Sequence, residues 1–460
     1  MAKKKEKTLE EKLQEALVPE NQWPYILPEN WCWTRLGKIT NVVGGGTPSS
    51  SKKEYYDNGT IPWLSPADLS GYSDIYISRG QKNITELGLS KSSARLMPKD
   101  TVLLSSRAPI GYVAIASNSI STNQGFKNFL PSDAFYSRFL YWYLKSSKSL
   151  LESYASGTTF LELSGSKASM VEFPLPPLPE QKRIVHRIES LFAKLDEAKE
   201  KIQQVLDGAE MRKAAILHKA FTGELTKNWR KENGISEDSW VEYTLQSVCT
   251  MKITDGTHKT PTYSDKENGV VFLSAKDITS GEINWENTKY ITSELHKELY
   301  SRLAPQINDI LLAKNGTTGV AALVKEDKVF DIYVTLALLR PNVEIVIPEY
   351  LLNIINSPLC KVQFNENLTG IGVPNLHLRD IKDVKIKVPS ISEQEIISDK
   401  VEMLLANEGM VTKNCLKQIE VIDTMKKSIL AKAFRGELGT NNPNEDNALN
   451  LLKEVLQDKS

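Results

Sequence analysis

The chain has 460 residues, of which 40% are hydrophobic and 25% charged, and this length favours two or three domains. Its 57 basic and 57 acidic residues balance, so it lacks the basic excess of many nucleic-acid-binding proteins, although a local basic face would suffice. No apolar run of 18 residues and no apolar signal-peptide core is present, which argues against a membrane span and against export. Its four cysteines are far apart and fit a reducing cytoplasm.

The N-terminal part of the chain, residues 1–21, is predicted to contain a short amphipathic helix. Leu9, Leu13 and Leu17 fall on one side of it, with lysine and glutamate on the other. Two interpretations stay open, a frayed terminus and a docking helix.

Residues 22–175 are predicted to form a first domain of mixed strands and helices. Runs at 101–104 and 112–116 are typical of strands, and residues 105–111 between them are predicted to be a connection. A proline-containing run at 61–65 is predicted to be a short edge strand, because proline cannot donate to a sheet ladder.

Residues 176–225 are predicted to form a first long helix. Its apolar residues recur in alternating steps of four and three, the heptad seam of a coiled coil. The seam consists of Ile184, Ile188, Leu191, Leu195, Ile202 and Val205. Gly223 stands where a left-handed residue would end the helix.

Residues 236–388 repeat the first domain. Residues 272–277 match 63–68, and 309–312 match 100–103, both at an offset of 209. The connections between matched pieces differ in sequence. This pattern predicts one fold used twice to recognise two different targets.

Residues 389–438 are predicted to form a second long helix, which matches the first without a gap at an offset of 213 (389 − 176). Glu408 and Gln418 interrupt its seam, and Gly436 repeats the predicted glycine cap. The seam consists of Ile397, Val401, Leu404, Val411 and Ile422.

The predicted fold class is α+β, with two similar mixed domains separated by the two long helices. We expect these helices to form an antiparallel coiled coil with pseudo-two-fold symmetry and the domains at opposite ends. The alternative is that each helix lies along its own domain. Residues 439–460 remain as a C-terminal tail.

No catalytic or metal-binding motif is recognisable, since the five histidines have no metal-ligand spacing. Loops rich in arginine, lysine, asparagine, glutamine, serine and threonine could instead contact base edges and phosphates. In the first domain the candidates are Gly46, Thr47, Ser49, Lys52, Lys53, Ser105, Ser106, Arg107, Asn123, Gln124 and Lys127. In the second domain they are Thr257, His258, Lys259, Lys314, Asn315 and Gly316.

The duplicated order of domain, helix, domain, helix resembles the specificity subunit of a type I restriction-modification system. The resemblance covers nearly the whole chain. Its motifs are the proline-rich entry 174–179 with Glu180 and Gln181, the helix exit 220–225, and the second copies at 392–394 and 433–438.

This resemblance implies that each domain is a target-recognition domain for one half of a split, asymmetric site in double-stranded DNA. The long helices would then be a spacer and a docking surface for two modification subunits, which carry S-adenosylmethionine and methylate adenine. Restriction subunits, which use ATP and Mg²⁺ to translocate and cut DNA, would join this core in the cytoplasm. The chain itself would be non-catalytic, with no cofactor and no metal.

Two other interpretations stay open from the residues alone. A non-catalytic adaptor that binds protein or glycan through two domains on a coiled-coil rod is supported by the neutral net charge. A self-contained nuclease or methyltransferase would need catalytic motifs, and none is recognisable in the sequence.

Overall fold

The structure, a computed structural model, describes residues 7–107, 109–157, 161–368 and 375–458. The chain divides into two compact units: unit 1 holds Met1–Lys201 and Gln418–Ser460, and unit 2 holds Ile202–Lys417. Each unit therefore contains one sheet-rich domain and a part of each long helix. Among the described residues, no helix is both long and apolar enough to cross a membrane.

The first domain, in unit 1, is built from two sheets and a two-stranded ribbon. The helices up to its end are α1 (Leu9–Ala16), α2 (Leu36–Ile39), α3 (Glu86–Ser90), α4 (Ser137–Ser146), α5 (Lys148–Tyr154) and α6 (Gly165–Met170). The strands are β1 (Cys32–Arg35), β2 (Val42–Gly44), β3 (Ile61–Leu64), β4 (Tyr76–Ile77), β5 (Lys82–Ile84), β6 (Leu96–Met97), β7 (Val102–Ser106), β8 (Ile110–Ala116), β9 (Ile120–Thr122), β10 (Phe126–Phe129) and β11 (Glu172–Leu175). The sheet orders are β2-β10-β7-β8-β4 and β5-β3-β9-β6, and β1 pairs with β11.

Strand β7 is apolar on both faces because both faces are buried. Val102 and Leu104 pack in a core with Phe139 of α4, whereas Leu103 packs in a second core with Leu64 of β3. A strand buried on both sides has a continuous apolar run instead of alternation, which is why 101–104 was recognisable in the sequence.

The second domain, in unit 2, has the same composition of two sheets and a ribbon. The helices from residue 178 to its end are α7 (Leu178–Asp207), α8 (Ala209–Phe221), α9 (Lys227–Glu232), α10 (Ser293–Arg302), α11 (Pro348–Ile355), α12 (Pro358–Glu366) and α13 (Leu378–Asp383). The strands are β12 (Val241–Thr244), β13 (Thr254–Asp255), β14 (Tyr263–Ser264), β15 (Val270–Leu273), β16 (Lys289–Ile291), β17 (Ile310–Ala313), β18 (Ala321–Leu323), β19 (Phe330–Ile332), β20 (Leu336–Leu339) and β21 (Lys385–Val388). The sheet orders are β13-β20-β17-β18 and β14-β16-β15-β19, and β12 pairs with β21.

The two domains share one topology, as the matched sequence segments predicted. The order β2-β10-β7-β8 recurs as β13-β20-β17-β18, and β5-β3-β9 recurs as β16-β15-β19. Both copies include a parallel pair inside an otherwise antiparallel sheet, β3 with β9 and β15 with β19.

The run at 61–65 is an internal strand, so the predicted edge position is wrong. Strand β3 pairs with β5 on one side and β9 on the other. The ladder with β9 involves only Trp63 and Leu64, so Pro62 lies beyond its end. Pro62 is therefore tolerated in an internal strand, because the missing amide hydrogen is not needed for the ladder with β9.

Both predicted long helices are present. The second is α14 (Ile391–Phe434), and the first is α7 followed directly by α8. Gly208 between them donates to the Gln204 carbonyl at 3.2 Å and accepts from the Arg212 amide at 3.1 Å, so the helical hydrogen bonds continue across the junction. Gly223 and Gly436 have φ values of 82° and 75°, which confirms the predicted left-handed ends.

Within unit 1 the helix segments run antiparallel. Lys199 forms an ion pair with Asp423 at 2.9 Å, and Asp196 forms one with Lys426, so the residue number falls in one segment as it rises in the other. The end of α14 returns to the first domain, where the Phe434 ring contacts those of Phe139 and Tyr143 edge-on, with ring centres 5.3 and 5.1 Å apart.

Within unit 2 the segments run antiparallel in the same way. Arg212 of α8 forms an ion pair with Glu408 of α14 at 2.9 Å, and the Lys400 ammonium donates to the Leu225 carbonyl at 2.8 Å, so the residue number again falls in one segment as it rises in the other. Phe221 at the end of α8 contacts Tyr350 of the second domain. Phe221 and Phe434 correspond at the offset of 213. Each domain therefore receives the end of the long helix that follows the other domain.

Nine of the eleven predicted seam positions are buried or half-buried. These are Ile184, Ile188, Leu191, Leu195, Ile202, Ile397, Val401, Leu404 and Ile422. Val205 and Val411 are 39% and 40% exposed, so their assignment to the seam is wrong, and the half-buried residues are the next in sequence, Leu206 and Thr412. The displacement is local, since Ile422, further along α14 and in phase with the predicted heptad, is buried. Gln418 is likewise exposed beside half-buried Ile419, so it does not interrupt the seam.

The glutamine of the repeated Glu-Gln motif joins each long helix to its own domain. The Gln181 side chain donates to the carbonyls of Ala134 and Pro176 and accepts from the Tyr136 amide. Gln394 repeats this pattern with the carbonyls of Ile345 and Pro389 and the Ile347 amide. Both glutamines are fully buried, so all three bonds replace hydration that the amide has lost.

The glutamate of the motif is also buried, but its partners differ between the copies. Glu180 accepts from Trp31 at 2.8 Å and Asn441 at 2.9 Å. Glu393 instead pairs with Arg230 at 2.5 Å and accepts from Trp240 at 3.2 Å. Burial raises the pKa of the Glu180 carboxyl, and its hydrogen bonds oppose that rise.

The segment 439–460, predicted only as a tail, contains helix α15 (Ala448–Asp458). Leu452 and Val455 of α15 are buried in the same core as Leu13 and Ala16 of α1. The N-terminal helix is therefore a packed part of unit 1, which favours the docking interpretation over a frayed end.

Candidate nucleic-acid interface

Four candidates of the first domain are buried and are removed from the predicted interface, and three of them, Ser105, Ser106 and Lys127, lie in strands. Ser105 and Ser106 are the last residues of β7, and both are fully buried. The Ser105 hydroxyl donates to the Pro109 carbonyl and accepts from the Tyr112 amide. Lys127, in β10, is 8% exposed, and its ammonium donates to the Ser106 hydroxyl at 3.2 Å. The sequence suggested a loop here because polar residues follow the apolar strand.

Two candidate loops of the first domain meet in space. The Gly46 amide donates to the Thr122 carbonyl at 2.8 Å, and the Thr47 hydroxyl donates to the Gln124 side chain. Gly46 is buried, and a Cβ there would lie 2.3 Å from the backbone of Ser93, so this glycine is structural and does not contact DNA. Thr47 and Gln124 are exposed and stay candidates.

In the second domain, Thr257 and Lys314 are also buried, and their assignment is corrected. Lys314 is 8% exposed, and its ammonium lies 2.8 Å from an Asp255 carboxylate oxygen. Thr257 is 5% exposed and its amide donates to the Ile332 carbonyl. The sequence showed a lysine beside a glycine turn but could not show the carboxylate that the fold brings to it.

Most other candidates remain accessible, so their role stays a prediction. Arg107, Asn123 and Asn315 are half-buried, and the rest of the group is exposed. The exposed residues are Ser49, Lys52, Lys53, His258, Lys259 and Gly316. Two of them have acidic neighbours: Lys259 pairs with Glu298 at 2.5 Å, and His258 lies 3.2 Å from Asp255.

A cleft of about 580 Å³ opens in the first domain, and we call it the first cleft. Its lining includes the predicted Thr47 and Lys53, and also Tyr56, Trp63 and Lys82. The Trp63 indole donates to the Gly46 carbonyl at 2.9 Å, and the Tyr56 hydroxyl donates to the Pro48 carbonyl. The loop that carries Thr47 is therefore held against the aromatic side of the cleft.

A cleft of about 390 Å³ opens in the second domain, and we call it the second cleft. Its lining includes the predicted Asn315 and Gly316, and also Tyr263, Phe272 and Lys289. The Lys289 ammonium lies 4.4 Å from the centre of the Tyr263 ring and 3.2 Å from its hydroxyl. Gly316 has a φ of 74°, which suits glycine in the turn beside Asn315.

The two clefts lie at equivalent positions of the shared topology. Trp63 is paired directly with Lys82 across the β3–β5 ladder, and Phe272 with Lys289 across the β15–β16 ladder. Directly opposed residues of an antiparallel pair place their side chains on one face of the sheet. Each domain therefore presents an aromatic ring and a lysine side by side at its cleft.

The aromatic residues of the clefts and the lysines paired with them were not identified from the sequence, although the constant spacing between the two copies could have indicated them. The offset is 207 for Tyr56 and Tyr263 and for Lys82 and Lys289, close to the 209 of the matched strands. An alignment of the two halves that allowed small gaps would have paired them. Lys82 and Lys289 lie in strands, whereas the predicted contact residues were chosen for their place on glycine-rich loops.

The described residues contain no group of three histidine, cysteine, aspartate or glutamate side chains placed to hold a metal ion. Both clefts instead combine aromatic rings, amides, hydroxyls and ammonium groups, and the first cleft also contains the carboxylate of Asp57. These groups suit the base edges and phosphates of a nucleic acid.

Comparisons with known proteins agree with this arrangement. A family model described as the type I restriction modification DNA specificity domain matches residues 28–207 and 237–421, one match for each domain with much of its long helix. The specificity subunit of the type I restriction enzyme MjaIX from Methanocaldococcus jannaschii is 31% identical, over 90% of this chain and 94% of its own length. The specificity subunit of EcoKI from Escherichia coli K12 is 24% identical, over 94% and 96% respectively.

Two solved structures share the fold. The HsdS subunit from Thermoanaerobacter tengcongensis superposes with a TM-score of 0.60 at 18% identity, covering 91% of this chain and all of that one. A chain from a study of complex assembly and conformational transition in a type I R-M system gives 0.66 at 19% identity, covering 90% and 100%. The predicted α+β class with two similar domains and long helices is confirmed.

Proposed function

The chain belongs to the type I restriction modification DNA specificity family, and we propose that it recognises a split, asymmetric double-stranded DNA site for a type I restriction-modification complex. One observation carries this proposal. Two domains of one topology present equivalent clefts whose aromatic and lysine residues match, while the remaining lining residues differ. Two such domains in one chain suit two half-sites of different sequence.

The chain acts in this proposal as the non-catalytic subunit of a larger cytoplasmic complex. Two modification subunits dock on the long helices and hold S-adenosylmethionine for adenine methylation. Restriction subunits join them and use ATP and Mg²⁺. The duplicated Glu-Gln junctions support two docked copies, because each long helix leaves its domain through the same three glutamine hydrogen bonds.

Methylation mapping with exchanged domains tests the proposal. We expect the wild-type chain, expressed with its modification subunits, to direct methylation at one split sequence, and its deletion to abolish that methylation. Replacing residues 22–175 with the corresponding segment of a relative should change one half of the sequence. Replacing residues 236–388 is the matched control and should change the other half.

Two outcomes would contradict the proposal. Methylation that persists without the chain would mean that another subunit determines specificity. A single exchange that alters both halves would mean that the domains do not recognise their half-sites independently.

A further inference from the structure

We infer that the two clefts recognise the two half-sites, with a lysine–aromatic pair that contacts DNA in a sequence-independent way and with unmatched lining residues that select the bases. This inference rests on the proposed function and assigns residues to it. The sequence-independent part consists of Trp63 with Lys82 in the first cleft and Phe272 with Lys289 in the second.

The paired lysines have the chemistry of phosphate contacts. Both are exposed, and no carboxylate within the described residues lies at ion-pair distance from either ammonium. Each is paired across its ladder with a buried ring, Trp63 at 7% and Phe272 at 2% exposure, and the Lys289 ammonium also contacts the Tyr263 ring and hydroxyl. A lysine in this setting contacts the DNA backbone whatever the base sequence.

The unmatched residues have the chemistry of base recognition. The first cleft adds the amides of Gln81 and Asn83, which can both donate and accept, as adenine recognition in the major groove requires. The second cleft adds the ammonium of Lys276 with Asn315, and an ammonium donor suits the two acceptors of guanine. Because the two sets differ in hydrogen-bonding capacity, the clefts select different bases.

The two classes of residue predict two different phenotypes. Lys82→Ala or Lys289→Ala should weaken binding to all sequences alike, lower the salt dependence by about one phosphate contact, and leave the methylated sequence unchanged. Lys82→Arg should instead retain most of the DNA binding, because it keeps the positive charge. Lys167→Ala and Lys361→Ala, at exposed positions outside both clefts, are the matched controls.

The base-selecting pairs should each affect one half-site. With the complete modification complex and a randomised DNA library, Gln81→Ala/Asn83→Ala should relax the half assigned to the first domain by about tenfold or more at one or two positions. Lys276→Ala/Asn315→Ala should relax the other half to a similar extent. All four side chains are at least partly exposed, and recovery of the intact complex by size-exclusion chromatography verifies folding.

The outcomes separate this inference from the proposed function. If the wild-type complex methylates a split sequence and both double variants methylate it with unchanged selectivity, the clefts do not select bases and the inference is wrong. A double variant that relaxes both halves also contradicts it. If the wild-type complex shows no sequence preference, the proposed function itself fails.

Discussion

The ion pair between Arg212 and Glu408 can be replaced by the residues at the matched positions of the other copy. At the offset of 213, Glu408 corresponds to Leu195 and Arg212 to Met425. The Arg212 Nε donates to both carboxylate oxygens of Glu408, at 2.9 and 3.1 Å. We expect Glu408→Leu alone to destabilise unit 2 and the double substitution Glu408→Leu/Arg212→Met to restore its stability.

The exposure of the two side chains sets the magnitude. Glu408 is 16% exposed and Arg212 38%, so water partly screens the pair. Without the carboxylate, the Arg212 Nε loses both of its hydrogen bonds to Glu408. Leaving a buried group without its hydrogen-bond partner costs about 1–3 kcal/mol. Because Arg212 is partly exposed, we expect Glu408→Leu to lower the free energy of unfolding by about 1 kcal/mol. The free energy of unfolding of the double variant should be within about 0.5 kcal/mol of the native value or higher, because an apolar contact often replaces a partly buried ion pair without loss of stability.

Hydrogen–deuterium exchange of the full chain measures the local stability of the contact between α8 and α14. Peptides from α8 and from the part of α14 in unit 2 should exchange about fivefold faster in Glu408→Leu, which is about 1 kcal/mol, and return to native rates in the double variant. Arg212→Met alone is the control. It leaves the less exposed partner unpaired and should cost at least as much. If Glu408→Leu exchanges at the native rate, the pair contributes nothing to the helix contact, and the reasoning is refuted.

Two further predictions concern unit 1. The raised pKa of Glu180 means that the folded state holds the carboxyl proton more tightly than the unfolded state. The free energy of unfolding should therefore fall as the pH rises from about 4.5 through the raised pKa. Glu180→Gln should flatten this part of the pH–stability curve in chemical unfolding, and an unchanged slope would contradict the prediction. Gly436→Ala should destabilise the end of α14 by more than about 1 kcal/mol, because φ is positive and the new Cβ would meet the Pro28 ring at 2.4 Å. The matched Gly223→Ala should also destabilise the end of its helix, because φ is positive and the new Cβ would lie 2.8 Å from Arg230 Nη2, which the buried ion pair with Glu393 holds in place. Thermal unfolding of either variant at the native temperature would refute this argument.

Repeats and periodicity were predictable because they depend on residues within one element. The offset of 213 located both long helices, and the seam was correct wherever the heptad stayed in phase, as at Ile184 and Ile397. It failed at Val205 and Val411, where the half-buried residue is the next one in sequence, and it was in phase again at Ile422.

Candidate contact residues were less predictable because burial depends on segments distant in sequence. Lys314 has the same appearance in the sequence as Lys289, yet one pairs with Asp255 inside the fold and the other stands at a cleft. Only the sheet pairing distinguishes them, since Lys289 is fixed opposite Phe272 by the ladder. Composition of a loop therefore indicates polarity but not accessibility.

The changing offset between the two copies shows where the chain tolerates variation. It is 209 at the aromatic residues Trp63 and Phe272, 207 at the lysines paired with them, and 213 at the start of the long helices. Each change falls in a connection and none within a paired ladder, because a one-residue insertion in a strand would turn its buried side chains outward. Lys82 and Lys289 therefore keep equivalent ladder positions in both domains, whereas Asn315 stands on a connection. If the clefts act as inferred, substitutions at the unmatched lining positions change the selected bases without altering the lysine contacts with the DNA backbone.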